Sequence, residues 1–311
     1  MQALAAHGWK TGYEAGTPPP EHESYRVLAA QRLDQPGVLR EWRRLALRHK
    51  LVYEIDDDVW SIEVANWHAY HTYQRDDVLD VMVHAAQIAD MVTVTTEPLA
   101  EVIRQRTGHP CIRVVPNCVP DELLTLRRNR SAPKKVTIGW AGGSSHAMDC
   151  AMIAVPVHEF IERTPRAELH ILGVDFRPTF GLGRENCRYT GWIPASTRGL
   201  DYYRALDFDI GLAPLTGTVF DQSKSAIRAF EYLSLGIPVL ASDCEPYRGV
   251  VIDGVNGYLI RRRRDWARRL RELTEDDAAR EEMSAKARET ARAYAIGAGW
   301  KRWADAYSEL L

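Results

Sequence analysis

A chain of 311 residues, 45% hydrophobic and 26% charged, is long enough for two ordinary globular domains with large cores. Its net charge of -2 excludes a polycation that binds nucleic acid through bulk charge, and no apolar run approaches the roughly 20 residues of a membrane-spanning helix. With Lys10 and Glu14 behind a short Ala-rich start there is no signal-peptide pattern, and Cys111, Cys118, Cys150, Cys187 and Cys244 lack any zinc spacing, so a cytoplasmic chain with reduced thiols is expected.

In chain order, residues 1–24 are rich in Gly and Pro and suit loops, with room for a short strand near Leu4. Tyr25 to Ala30 reads as a strand, Val38 to Ala46 as a helix and Leu51 to Ile55 as a strand, a βαβ beginning. The last strand ends in Asp56-Asp57-Asp58, three carboxylates at the edge where open α/β sheets place their ligands. Trp60, Trp67, His68, Tyr70, His71 and Tyr73 then form an aromatic and polar segment, read either as a site-facing loop or as a surface loop packed on its own domain.

Val78 to Ile88 has helical spacing, Met91 to Thr95 reads as a strand, Pro98 to Arg106 as a helix, and Cys111 to Val115 as a strand. Residues 121–135 are charged and aperiodic, the expected linker to a second domain. A fresh α/β series follows. The strand Val136 to Trp140 runs into Gly142-Gly143-Ser144-Ser145-His146 and a helix, a phosphate-site geometry, and Glu168 to Leu172 is the next strand. Tyr189-Thr190-Gly191-Trp192-Ile193, a helix Ser196 to Ala205 and a strand Asp209 to Pro214 lead on to Phe220.

From there Ala226, Ala229, Phe230 and Leu233 mark one helix face and Lys224, Arg228 and Glu231 another. Gly236 and Pro238 stop the helix before the buried strand Ile237 to Ala241. A cation at the start of that helix, Lys224, opposes the macrodipole unless an anion binds there too, so a phosphate is expected. Asp253-Gly254-Val255-Asn256-Gly257 turns into the strand Tyr258 to Ile260, and helices fill the rest. Two basic runs, Arg127 to Lys135 and Arg261 to Arg271, read as solvated surface; the second also suits an anionic membrane surface.

Five motifs in order give the chain its resemblance: Ala89-Asp90-Met91-Val92-Thr93-Val94, Val115-Pro116-Asn117, Ile138-Gly139-Trp140-Ala141-Gly142-Gly143, Phe230-Glu231-Tyr232 with Gly236-Ile237-Pro238-Val239, and Asp253-Gly254 with Asn256-Gly257. Together they resemble the GT-B glycosyltransferases, in particular retaining family four, from about residue 50 to the end. The three aspartates are similar to an acidic motif of a subgroup found in phage-borne and surface-polysaccharide enzymes.

The resemblance implies an α/β fold of two Rossmann-like domains facing a cleft: an acceptor-side domain at 1–130, a nucleotide-sugar domain at 131–290, and a C-terminal helix at 291–311 returning to the first. It implies a nucleotide-diphosphate sugar as donor, transfer with retention, and neither a tightly bound cofactor nor a required metal, although an Asp cluster also admits magnesium or manganese. Glu231 looks like the glutamate that binds the ribose hydroxyls, Gly191, Trp192 and Ile193 like the base-binding edge, and Gly142 and Gly143 like the approach to the diphosphate. Ser144, Ser223 and Ser225 complete the donor set. The family's earlier glutamate position holds Ser223, and no basic pair follows Gly143, so Lys224, helped by Arg228, is assigned to the diphosphate and to catalysis.

Asp56 and Asp57 are expected at the transferred sugar, with Asp58, Trp60, Trp67, His68 and Tyr70 at the acceptor. The acceptor is read as a hydroxymethylated base in phage-type DNA or as a glycan or lipid-linked sugar. A non-catalytic nucleotide-sugar-binding protein on the same fold stands beside both.

Overall fold

The structure is a computed structural model that describes residues 2–12, 22–126, 135–193 and 200–311. It divides into two compact units, one of Met1–Asn117, Ser223–Ser225 and Ile296–Leu311, the other of Cys118–Gln222 and Ala226–Ala295. The expected basic side chains Arg127, Arg128, Arg130 and Lys134, and the first turn of the helix expected from Ser196, lie outside the described residues. No described helix is long and apolar enough to cross a membrane.

The first unit contains, in order, α1 (Gln2–Ala6), β1 (Val27–Gln31), α2 (Val38–Leu45), β2 (Lys50–Ile55), α3 (Trp67–Tyr73), α4 (Asp76–Ile88), β3 (Met91–Val94), α5 (Glu97–Thr107) and β4 (Ile112–Val114). Its strands are parallel and follow sequence order across the sheet. Right-handed crossovers in that order put every connecting helix on one face. The strand alternation agrees: Leu51, Tyr53, Ile55, Val92 and Val94 pack with Trp42 of α2, Ala85 of α4 and Leu99 and Ile103 of α5. The opposite face carries Val52 and Met91, and the C-terminal helix Ile296–Ser308 with the residues after it covers them through Trp303, Ala306, Tyr307 and Leu310. Each large side chain buried there contributes roughly 1.5–3 kcal/mol. Arg113 holds the end of that segment through Glu309 at 2.9 Å, and Arg26 donates to the Leu311 carbonyl at 2.7 Å.

Two expectations fail in this unit. The stretch near Leu4 is the helix α1, not a strand; Leu4 is buried and His7 stacks on Trp300 of the C-terminal helix at 3.7 Å. The aromatic segment is no loop but a 3-10 turn, Val59–Ser61, followed by α3. Its helix is marked by an i,i+4 edge contact of Trp67 with His71 and by Thr72 donating back to the His68 carbonyl, side-chain signals that apolar periodicity does not detect.

The second unit runs β5 (Val136–Gly142), α6 (Ala147–Glu162), β6 (Ala167–Gly173), α7 (Arg177–Phe180), β7 (Cys187–Thr190), α8 (Leu200–Ala205), β8 (Ile210–Ala213), α9 (Val219–Gln222), α10 (Ile227–Ser234), β9 (Val239–Ser242), β10 (Gly257–Ile260), α11 (Arg263–Glu275) and α12 (Asp277–Ala291). Its parallel sheet has the order β10-β9-β8-β5-β6-β7, so the winding reverses between β5 and β8. One face packs Ile138, Trp140, Leu169 and Ile171 against α6 and α11; the other packs Ala141, Ala213, Val239 and Ala241 against α10 and Phe208. Gly139 and Gly211 are what let the second face close. A Cβ at Gly139 would stand 1.9 Å from the Phe208 ring, and one at Gly211 2.5 Å from the Tyr232 ring.

Residues 121–126, expected in a linker, instead pack into this unit: Asp121–Leu124 is a 3-10 turn and Leu123 is buried in the core. Arg288 of α12 ties them down by donating to the Leu124 and Leu126 carbonyls and, at 2.8 Å, to the Leu235 carbonyl that ends α10. The turn 253–257 is built the same way. Asn256, fully buried, accepts from the Ile252 N–H and donates to the Val250 carbonyl, so this motif's asparagine holds a turn rather than a ligand.

His170 on β6 is buried against the Phe208 ring and shares a 2.9 Å hydrogen bond with Thr190. Burial first, and then the Arg188 charge, push its pKa from 6.5 down to about 4. Between those values the unfolded chain binds a proton that the folded chain refuses. Its contribution is therefore full above pH 6.5 and lost as pH falls toward 4, about 3 kcal/mol in all. Denaturation midpoints measured from pH 4 to 7 should rise with pH in the parent chain, and His170→Gln should flatten that rise.

Candidate functional site

In open parallel sheets a ligand crevice forms beyond the carboxyl ends of the strands where the winding reverses. Here that place is bracketed by the turn after β5 and the loop after β8. Gly142 closes β5 under the Trp140 indole and the His146 ring; a Cβ on it would meet Trp140 at 2.7 Å and His146 at 3.2 Å. Nothing stands within 4 Å of a Cβ built on Gly143, so its backbone is open to approach. Ser144 is exposed, Ser144–His146 form a 3-10 turn, and α6 then starts without a side-chain cap. Its first N–H groups and dipole face the carboxyl edge of the sheet, an arrangement that attracts anions.

The loop after β8 is fixed by two carboxylates. Asp221 accepts from the Thr216 hydroxyl and from the Gly217 and Thr218 N–H groups at 3.0–3.1 Å. Asp149 of α6, buried, accepts from the Thr216 N–H with one oxygen and faces His146 Nδ1 with the other, both at 2.8 Å.

Glu231 lies on α10 with Arg228 one turn before it. Arg228 Nη1 is 2.5 Å from Glu231 Oε2 and also donates to the Tyr202 hydroxyl of α8, which in turn donates to Glu231 Oε2 at 3.5 Å. Burial raises the Glu231 carboxyl, and Arg228 opposes it. Burial pulls the Arg228 guanidinium down, but Glu231 and Tyr202 outweigh it and the net shift is upward. The result is a nearly buried carboxyl group paired with the guanidinium one turn before it on the same helix, with acceptor capacity left for a diol. Gly191, Trp192 and Ile193 follow β7, two strands away from β5; Trp192 is 69% exposed, while Ile193 packs on the core.

Ser223, Lys224 and Ser225 belong to the first unit. The Ser223 carbonyl accepts from Thr96 at 2.7 Å and the Ser225 hydroxyl from the Asn117 amide at 2.9 Å. This corrects the expected position of Lys224. Helix α10 begins only at Ile227, so Lys224 is not in the first turn and the macrodipole argument does not apply to it.

Also in the first unit, Asp56 and Asp57 share Arg32, whose Nη2 is 3.0 Å from Asp56 Oδ2 and 3.4 Å from Asp57 Oδ2. Arg32 has φ +53, a left-handed backbone that costs roughly 1–2 kcal/mol outside glycine. Asp58 is separated from the pair: it is 1% exposed and neither carboxylate oxygen has a hydrogen-bond partner. Among the described residues no three His, Cys, Asp or Glu side chains converge as a metal set. Trp60 packs on the core, whereas Trp67 is 60% exposed and His68 is exposed. Tyr70 meets His71 edge-on at 5.8 Å.

Sequence reading did not find Arg32, Asp149, Thr216 or Tyr202. The signal for Arg32 lay in strand pairing: Gln31 of β1 registers with Glu54 of β2, so Arg32 emerges beside the aspartates. Removing the cation from α10 has a defined cost. Arg228→Met should lower stability by about 3 kcal/mol at pH 8, and by less at pH 5, because the carboxyl left behind rises further and is protonated in the folded state. Equilibrium denaturation at the two pH values checks both the size and the sign.

Three comparisons bear on this geometry. The profile of the family described as Glycosyl transferases group 1 matches residues 220–290, which include α10 and the turn at 253–257. No curated protein matches the chain by sequence. Among solved structures, TarM superposes with a TM-score of 0.67 at 16% identity, over 90% of this chain and 54% of its own. Sucrose-phosphate synthase from Thermosynechococcus elongatus gives 0.68 at 17% identity, over 92% and 74%. Anabaena HepE in complex with UDP-glucose gives 0.66 at 15% identity, over 92% and 79%. The chain thus spans about half the length of TarM and about three quarters of the other two. The fold is the GT-B fold of these structures, and residues 220–290 match the glycosyl transferases group 1 family.

Proposed function

We propose that this chain is a glycosyltransferase that binds a nucleotide-diphosphate sugar on its second unit and moves the sugar to an acceptor hydroxyl. The observation that carries this is Glu231. Within the segment matched to the glycosyl transferases group 1 profile, the nearly buried Glu231 carboxyl group on α10 is hydrogen-bonded by Arg228 and by Tyr202 of α8. A carboxylate in that state suits the vicinal hydroxyls of a ribose. HepE in complex with UDP-glucose supports a UDP-hexose as the first donor to test.

In this reading Gly142, Gly143 and Ser144 meet the diphosphate and Gly191, Trp192 and Ile193 the base, with no metal required. The domain roles follow: acceptor side first, donor side second. Transfer proceeds with retention, the leaving phosphate assisting attack on the same face. Asp56 and Asp57 position the acceptor hydroxyl, with Arg32 setting their orientation, and Trp67, His68 and Tyr70 of α3 receive the acceptor, whereas Asp58, expected there as well, is buried at 1% exposure and Trp60 packs on the core. The acceptor is a hydroxyl on a polymer, a hydroxymethylated base in phage-type DNA being the first candidate and a glycan or lipid-linked sugar the second.

A thermal-shift panel of UDP-, GDP- and ADP-sugars tests the donor. A sugar nucleotide present at a hundred times its dissociation constant should stabilise the chain by about 3 kcal/mol, and Glu231→Ala should abolish the shift. Slow hydrolysis of that donor separates an enzyme from a non-catalytic binder. No shift and no hydrolysis with any donor sinks the reading. A hexose mass increment on hydroxymethylated DNA or on a glycan then names the acceptor, and the anomeric configuration of the product decides retention.

A further inference from the structure

The second unit offers no lysine or arginine on the turn after β5, where a diphosphate would meet the start of α6. It does offer His146, and several observations show that this ring is built in rather than incidental. The residue closes the 3-10 turn at Ser144–His146, immediately before α6. Its ring lies edge-on to the Trp140 indole, with centroids 6.1 Å apart, and only a glycine at 142 leaves room for both rings. Nδ1 is 2.8 Å from Asp149 Oδ2, and because a carboxylate only accepts, Nδ1 carries the proton of that bond.

Asp149 is itself locked: it is 4% exposed and its other oxygen accepts from the Thr216 N–H of the loop after β8. One buried carboxylate therefore joins the two loops on either side of the winding reversal and sets the ring plane of His146. With Nδ1 occupied, Nε2 is the nitrogen left for a ligand, and the side chain keeps 26% of its surface accessible.

We propose that His146 is the cation that binds the donor diphosphate, using both ring nitrogens as donors, Nδ1 to Asp149 and Nε2 to a phosphate oxygen, and that Asp149 is its positioning residue. The proposal rests on the donor-binding reading above and adds the contact that discriminates a diphosphate from a bare nucleoside. It also gives the uncapped first turn of α6 a partner of the right sign, since the anion drawn by the N–H groups is neutralised beside them.

The test compares a nucleoside diphosphate with its nucleoside, using UDP and uridine, and likewise GDP and ADP with theirs, by calorimetry on the full chain. In His146→Gln the diphosphate should weaken about ten- to a hundredfold while the nucleoside keeps its affinity, the loss expected for one charge-assisted hydrogen bond. Asp149→Asn should weaken the diphosphate in the same selective way, and His146→Lys should recover most of the loss by restoring a cation. Circular dichroism melts of each variant identify any that fail to fold, and His146→Lys then carries the test, because it keeps the charge without the Asp149 bond. Equal affinities of His146→Gln and the parent chain for the diphosphate overturn the proposal, as does an equal loss for diphosphate and nucleoside. If no nucleoside diphosphate binds the parent chain, it is the donor-binding reading itself that fails.

Discussion

A parallel sheet must be covered on both faces, because its strands are joined by crossovers and carry apolar side chains to either side. The two sheets of this protein meet that constraint differently. In the second unit the winding reverses between β5 and β8, so the crossovers themselves supply helices to both faces. In the first unit the strand order follows the sequence, all crossovers fall on one side, and Val52 and Met91 are left without cover by any local element. The last sixteen residues supply it, which is why that unit includes the end of the chain.

The reversal that solves the covering problem in the second unit also creates its ligand crevice. Two loops that are 70 or so residues apart in sequence become neighbours there, and a single buried carboxylate, Asp149, is bonded to both. The side chains around it have little freedom. Gly142 and Gly139 are glycines because aromatic rings occupy the space a Cβ would take, and Asp221 holds the second loop through two backbone N–H groups and the Thr216 hydroxyl. Rigidity of this kind is what a site needs if its donors are to be in place before the ligand arrives.

Charge in both candidate sites is arranged as paired rather than free groups. Arg228 with Glu231, and Arg32 with Asp56 and Asp57, are each an arginine serving carboxylates that retain accessible lone pairs. A guanidinium fork suits this, since it satisfies a carboxylate on one side without saturating it. The pairing also changes how the basic side chains are read. Arg228, expected to help with a phosphate, donates through Nη1 to Glu231 and Tyr202, and the turn after β5 itself carries a histidine and no lysine or arginine.

The sequence by itself determined the parts that depend on neighbours three or four residues away. The strand and helix order apart from α1 and α3, the Gly-rich turn after β5, the stop at Gly236 and the placement of Arg228 and Glu231 on one helix follow from local periodicity and backbone restriction. It also carried the GT-B resemblance, whose motifs combine local strand and helix patterns with turn glycines such as Gly236 and Gly254, both at positive φ. What the tertiary structure alone decided were the partnerships made across strand register and between loops: Arg32 beside Asp56, Asp149 on Thr216, Tyr202 on Glu231, and Ser223 and Ser225 drawn to Thr96 and Asn117. The chain between those residues lies between α9 and α10, which starts at Ile227, so Lys224 is outside the helix that its local pattern favours. The physical reason is the same in each case. A side chain's periodicity fixes which face it takes, but its partner is set by which strand ends the topology brings together, and no local pattern encodes that.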